Sequence, residues 1–238
     1  MPTFKLLSAI GSNPKIEKGN NGNDYISVIL HLKPSKTICP WSADCLEPCL
    51  NTAGRGGMFK RGENTNNIQK ARERKTELFL NHRADFMALL YNDITKAQKY
   101  ANSLGLQLAV RLNGTSDIPW EGIAFKVGAF KYNNIFESFP SVTFYDYSKG
   151  LKRKVDHIKN YSLTYSRQYA NHEQAMSLLK QGKNVAIVFD KIPTTFRGYK
   201  VINGDLSDMR FKDEQGVIVG LKAKGKARKD FSGFVVYA

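Results

Sequence analysis

Six apolar runs recur along the chain and constrain its fold more than any other feature. They are Tyr25–Leu32, Leu106–Leu112, Ser141–Tyr147, Tyr161–Tyr165, Val185–Phe189 and Gly216–Leu221. Several are β-branched and nearly continuous, the pattern of parallel strands covered on both faces. Helical stretches separate some of them. Ile68–Leu104 carries Leu78, Phe79, Phe86, Leu89, Leu90 and Ile94 at helical spacing. It is too long for one helix, so a break is expected near Asn81–Asp85, with Gly105 as the stop signal. Asn133–Phe139 reads as a short helix ended by Pro140. Asn171–Gln181 reads as a helix capped by Asn171, with Ala175, Leu178 and Leu179 inward and Gly182 closing it. Residues 192–215, with Pro193, Gly198 and Gly204, read as a hairpin or irregular insertion.

Strands alternating with helices predict an α/β fold in one domain. The expectation is six parallel strands in β-α alternation, arranged as an open doubly wound sheet or a partial (β/α)6 barrel. Residues 1–24, ending in GSNPKIEKGNNGND, are expected to form an irregular N-terminal arm, and residues 25–238 the single α/β domain. The length of 238 residues suits one domain with a full core. The N-terminus lacks the apolar stretch of a signal peptide, and no segment is long enough to span a bilayer. A cytoplasmic protein with reduced thiols is therefore expected.

All three cysteines fall in one loop after the first strand: Cys39, Cys45 and Cys49, in CPWSADCLEPC. In a reducing compartment such a cluster points to a metal. The spacing Cx5Cx3C matches no zinc ribbon or finger, and a structural zinc would want a fourth ligand from His31, Asp44 or Glu47. Three thiolates with one open iron instead suit a four-iron four-sulfur cluster. Unrelated reduced thiols are the plain alternative, and an ordinary strand histidine is the plain alternative for His31.

Ligands of parallel α/β sheets bind beyond the C-terminal strand ends, where this loop starts. Polar clusters follow other strands. They include Arg111, Asn113, Gly114, Thr115, Ser116 and Asp117, then Glu121; also Tyr145, Asp146 and Lys149; Thr164, Ser166 and Arg167; and Asp190. Their predicted convergence on one rim defines a candidate active site.

Charge is the second outlier, with 36 Lys and Arg against 21 Asp and Glu, a net +15. Such an excess attracts polyanions, so nucleic acid is a candidate partner, although a solvated basic surface explains it equally well. No helix-turn-helix, zinc-finger or RNP-type motif is present. The basic residues are densest at Lys70–Lys75, Lys149–Lys154 and Lys222–Lys229. Arg55 in the Gly-rich turn Gly54–Gly57, and Lys222, Lys224 and Lys226 around Gly225, are candidate phosphate-binding residues. The turn lacks the Lys-Ser/Thr of a P-loop.

CPWSADCLEPCLNTAGRGG, ARERKT, RLNGTSDIPWE, FYDYSK and VIVGLKAKGKARKDFSGF together resemble the phage gene product 88 family from about Ser12 to Phe234. That resemblance implies a phage or prophage origin, hence residence in a host cytoplasm. The three-cysteine loop after the first strand also resembles the partial barrel of radical S-adenosylmethionine enzymes, whose usual spacing is CxxxCxxC. This second resemblance implies a four-iron four-sulfur cluster on Cys39, Cys45 and Cys49. It also implies S-adenosylmethionine held near Asn113, Gly114, Thr115, Ser116 and Arg111. Asp117, Glu121 and Asp146 would then orient cofactor or substrate, with Tyr145 or Tyr165 as hydrogen donor. The functional expectation is an iron-sulfur protein, and a candidate radical enzyme on a nucleic-acid-related substrate. The alternatives are a non-catalytic basic nucleic-acid-binding protein with a Cys-ligated structural metal, and a host-directed inhibitor.

Overall fold

A computed structural model describes residues 1–10 and 24–238. Most of the GSNPKIEKGNNGND stretch therefore lies outside the described residues. The strands are β1 (Tyr25–Ile29), β2 (Gln107–Arg111), β3 (Phe125–Val127), β4 (Phe130–Tyr132), β5 (Thr143–Ser148) and β6 (Tyr161–Ser166). They continue with β7 (Val185–Phe189), β8 (Thr195–Phe196), β9 (Tyr199–Asn203), β10 (Ile218–Lys222) and β11 (Val235–Val236). The α-helices are α1 (Asn67–Asn81), α2 (Arg83–Ser103) and α3 (His172–Lys180).

Each apolar run of the sequence contains a strand, but the predicted architecture is corrected. Nine strands form one mixed sheet, ordered β1-β2-β5-β6-β7-β10-β9-β8, with β11 pairing β7 and a separate β3-β4 hairpin. Six alternating β-α units are absent, since only three α-helices occur among the described residues. The β3-β4 hairpin and turns connect β2 to β5, an irregular loop connects β5 to β6, and the β8-β9 hairpin lies between β7 and β10. A parallel pair requires a crossover, but the crossover need not be helical. Pairing is parallel from β1 through β10 and on to β9, and antiparallel between β9 and β8. Strand β7 shares one edge between two neighbours: Val185 and Ala186 face β6, whereas Val188 and Phe189 face β11.

The long helical stretch breaks at His82 between α1 and α2, inside the predicted interval. Asn133–Phe139 is not a helix. It forms turns in which Glu137 and Asn134 make local hydrogen bonds, while Ile135 and Phe136 are buried. The side chain of Asn171 does not cap α3; it bonds back to the Gln168 N–H and the Ser166 carbonyl. The 192–215 region is the β8-β9 hairpin and an irregular return, and its turn places Arg197 and Gly198 at φ 49° and 81°. Two successive positive φ values are what a tight two-residue hairpin needs.

The main core lies between α1, α2 and the face of β1, β2 and β5 that carries Val28, Val110 and Phe144. A second core joins α3 to β6, β7 and β10, and a small third cluster contains Ala223, Ala227, Phe234 and Val235, with Cys45 against it. The described part of the expected N-terminal arm is built into the fold. Leu6 and Leu7 are buried, and the Asp93 carboxylate accepts from the backbone N–H groups of Lys5, Leu6 and Leu7.

Candidate functional site

The cysteine loop leaves the sheet after β1 and is fastened on several sides. Asp117 N–H donates to the Ile38 carbonyl at 3.1 Å, and the Ser42 hydroxyl donates to the Cys39 carbonyl at 2.7 Å. Gln168 clamps the backbone of Trp41 and Ala43 at 2.9 and 3.1 Å, and Asp44 accepts from the Tyr169 N–H at 2.6 Å. The Trp41 indole lies directly on Gly150, where an added Cβ would sit 2.7 Å from the ring. Past the loop, the Cys49 sulfur accepts from the Asn51 N–H at 3.4 Å and caps the short 3-10 turn Leu50–Thr52.

A buried amide and guanidinium lattice holds that turn to α1. Gln69 bonds the carbonyls of Asn51 and Gly56, each at 2.7 Å, and Arg72 donates to the Asn51 side chain at 2.7 Å. The Gly54–Gly57 turn belongs to this lattice, because a Cβ on Gly56 would meet the Asn51 carbonyl at 2.8 Å. Arg55 is exposed to solvent. Gly225 (φ +57°) brings the C-terminal basic segment to the same place, its Cβ position 3.3 Å from Ala53. Lys222, Lys224 and Lys226 are exposed there, with Lys224 paired to Asp205 at 2.7 Å.

Cys39 is buried, whereas Cys45 and Cys49 are partly exposed, and all three are free thiols. Burial pushes the Cys39 thiol up to about 12, with Cys49, Asp117 and Cys45 adding repulsion. Burial also raises Cys45, opposed by the Lys149 ammonium. The thiols therefore feel one another's charge. Yet among the described residues no group of three His, Cys, Asp or Glu side chains is close enough to hold a metal ion. Two thiolates on one zinc sit about 3.8 Å apart, given Zn–S bonds near 2.3 Å and tetrahedral angles. Thiolates that hold a cubane cluster sit on different irons and are spread more widely.

The fourth-ligand candidates have other surroundings. His31 is held down at about 3 by burial and by Arg72, Arg111 and Lys75, and its buried Nδ1 makes no hydrogen bond. Asp44 is engaged by Tyr169, and Glu47 is exposed.

The predicted rim resolves into two networks on opposite faces of β5. On the helix-covered face, Asp146 accepts from the Asn113 N–H at 2.6 Å and from the Tyr161 hydroxyl at 3.3 Å. Asn113 Oδ1 in turn accepts from Ser116, the Ile118 N–H and the Trp120 indole. Thr115 donates to the Leu32 carbonyl at 2.6 Å, and a Cβ on Gly114 would meet the Leu30 carbonyl at the same distance. These four residues fasten the loop after β2 to β1 and β5. Arg153 grips Glu121 through two hydrogen bonds of 2.8 and 2.5 Å, donates to Tyr161 at 3.0 Å, and approaches Asp117 at 3.7 Å. Burial raises Asp117, and pushes Asp146 up to about 7 against the pull of the Asn113 N–H, Arg111 and Arg153.

Tyr145 points the other way. With Arg111 it meets Asp208, at 3.4 and 3.0 Å, and Phe211 packs on Tyr145 and Tyr25. Arg111 also lies 4.6 Å over the Tyr147 ring. Tyr165 donates to the Arg153 carbonyl at 3.2 Å. Asp117, Glu121 and Asp146 thus gather around one cation, and Tyr145 does not join them.

Sequence reasoning missed Arg153, Asp208 and Arg210. Arg153 sits in KGLKRK between two exposed lysines that mask it. Asp208 and Arg210 lie in an irregular return with no periodic signal, and the buried Arg210 pairs with Asp213 at 3.2 Å.

The fold and site define a strand-rich protein built on a mixed sheet, with a three-thiol loop beyond β1 and a basic C-terminal segment packed against that loop. The chain belongs to the gene product 88 family, a phage protein family, which it matches over residues 5–238. No curated protein and no solved structure matches it. No helix among the described residues is long and apolar enough to cross a membrane.

Proposed function

We propose that this phage protein binds an iron-sulfur cluster through Cys39, Cys45 and Cys49 and uses its basic surface to engage nucleic acid. The observation that carries the reading is the gathering of all three of the chain's thiols, none of them in a disulfide, in one fastened loop beyond β1. Arg72 and Lys149 add positive charge beside Cys49 and Cys45, which would favour an anionic cluster there. Held by three thiolates, a four-iron cluster supplies one iron with an open coordination position. The chain's own residues contribute a fastened loop, buried amide anchors and an adjoining lysine segment.

The test is anaerobic purification with iron, acid-labile sulfide and zinc measured per chain, and a visible spectrum. About four irons and four sulfides, lost in Cys49→Ala, are expected. Zinc alone, or no metal, would sink the cluster. A parallel assay for 5′-deoxyadenosine, formed from S-adenosylmethionine under reduction, decides whether the reading extends to radical chemistry. Nucleic-acid binding should weaken steeply with salt, because each neutralised phosphate releases counterions.

A further inference from the structure

The C-terminal segment places exposed cations and exposed aromatic rings side by side. Lys222, Lys224, Lys226, Arg228 and Lys229 are all exposed within eight residues. They lead directly to Phe231, which is 85% exposed. Its ring stacks on Tyr237 with centroids 5.7 Å apart and planes 3° from parallel. Asp230 builds the turn that holds this pair. Its carbonyl accepts from the Tyr237 hydroxyl at 2.8 Å, and its carboxylate accepts from Ser232 and the Val235 N–H at 2.8 and 3.2 Å. A third exposed ring, Tyr169, rests against Gly233, where any Cβ would come within 2.6 Å of it. The rings are therefore positioned by hydrogen bonds and by a glycine, while their outer faces remain open.

A cationic track beside aromatic faces has a specific chemical complement. Phosphates follow the charges, and unstacked bases lie on the rings. A duplex keeps its bases stacked inside and offers nothing to Phe231. We propose that Lys222–Tyr237, with Tyr169, is a binding platform for single-stranded nucleic acid. This rests on the nucleic-acid reading above and adds which strand form is bound, and where. A membrane surface is the other chemistry that combines cations with aromatics. It is disfavoured because the segment contains no amphipathic α-helix, and because Phe231 and Tyr237 cover one face of each other.

Fluorescence anisotropy of the full chain tests the platform with a labelled oligothymidine strand, an oligouridine strand and a mixed-sequence duplex of equal length. The wild type should bind either single strand more tightly than the duplex. Phe231→Ala should weaken single-strand binding about tenfold and leave the salt slope unchanged, since it removes stacking and no charge. Lys226→Glu with Arg228→Glu should instead flatten the salt slope, by about 0.7 for each phosphate no longer neutralised. Circular dichroism confirms that these surface variants fold. Equal binding to duplex and single strand, with Phe231→Ala indifferent, overturns the platform and leaves general polyanion binding intact. No salt-dependent binding to any oligonucleotide overturns both. Binding only to phosphatidylserine vesicles, lost in Phe231→Ala, assigns the surface to lipid and also overturns the platform.

Discussion

Burial governs the chemistry of two side chains at the site, Asp146 and Cys39. Asp146 is fully buried, and its carboxyl is pushed up to about 7, well above the ordinary value near 3.9. A raised folded value means that the protonated carboxyl stabilises the fold at low pH. That contribution is complete below about pH 4 and is lost as pH rises to about 7. Asp146→Asn lacks this titration while keeping a carbonyl for the Asn113 N–H. Stability of the wild type relative to Asp146→Asn should therefore fall by a few kcal/mol, of order 3, between pH 4 and 7, then stay level. Urea denaturation of both proteins at several pH values measures it, and a flat difference would rule it out. Cys39, raised to about 12, should be the slowest of the three thiols to alkylate in metal-free protein at pH 8. Mass-spectrometric mapping with iodoacetamide reads the order, and metal loading should protect all three.

At the scale of elements, Arg153 is the tie between the turn after Trp120, strand β6 and the β5-β6 connection. Its side chain is 3% exposed, and its partners are Glu121, Tyr161 and Asp117. Removing a buried cation leaves those carboxylates uncompensated, and such losses cost about 3–5 kcal/mol. Arg153→Ala should cost this much in chemical denaturation, whereas Lys152→Ala and Lys154→Ala should each cost about 0.5 kcal/mol or less. Comparable effects at all three positions would show that Arg153 has no special role. The sequence could not separate these neighbours, since KGLKRK reads as one basic run. It did mark one crossover, since Pro193, Gly198 and Gly204 make 192–215 read as a hairpin or irregular insertion. The apolar runs revealed where strands lie, because a strand buried on both faces needs consecutive apolar residues. Nothing in the 149–160 or 192–215 stretches showed a helical period, and there the chain crosses by loop and hairpin.

Across the whole molecule, the cysteine loop is linked to distant parts of the chain. Asp117 bonds it from beyond β2, Gln168 from beyond β6, Arg72 holds its end from α1, and Gly225 packs on it from the C-terminal segment. A group bound by the three thiolates, as proposed, would therefore stabilise the fold as a whole, since ligand binding to the native state raises its stability. Loaded protein should melt several degrees above protein stripped by an iron chelator, and Cys45→Ala should abolish the difference. Differential scanning calorimetry checks both, and identical melting temperatures would count against a bound centre.

By itself the sequence determined the positions of six of the eleven described strands, the split of the long helical region near Asn81–Asp85 and the clustering of the thiols beyond β1. Each depends on local pattern: consecutive apolar residues, helical spacing and residues adjacent in the chain. Only the tertiary structure decided the mixed sheet, the division of Tyr145 and Asp146 between opposite faces, and the convergence of Asp117, Glu121 and Asp146 on Arg153. Those depend on strand alternation combined with long-range pairing, where residues some 30 positions apart meet. The burial that raises Asp146 and Cys39 is likewise a property of the packed interior, because a side chain's surroundings are assembled from the whole fold.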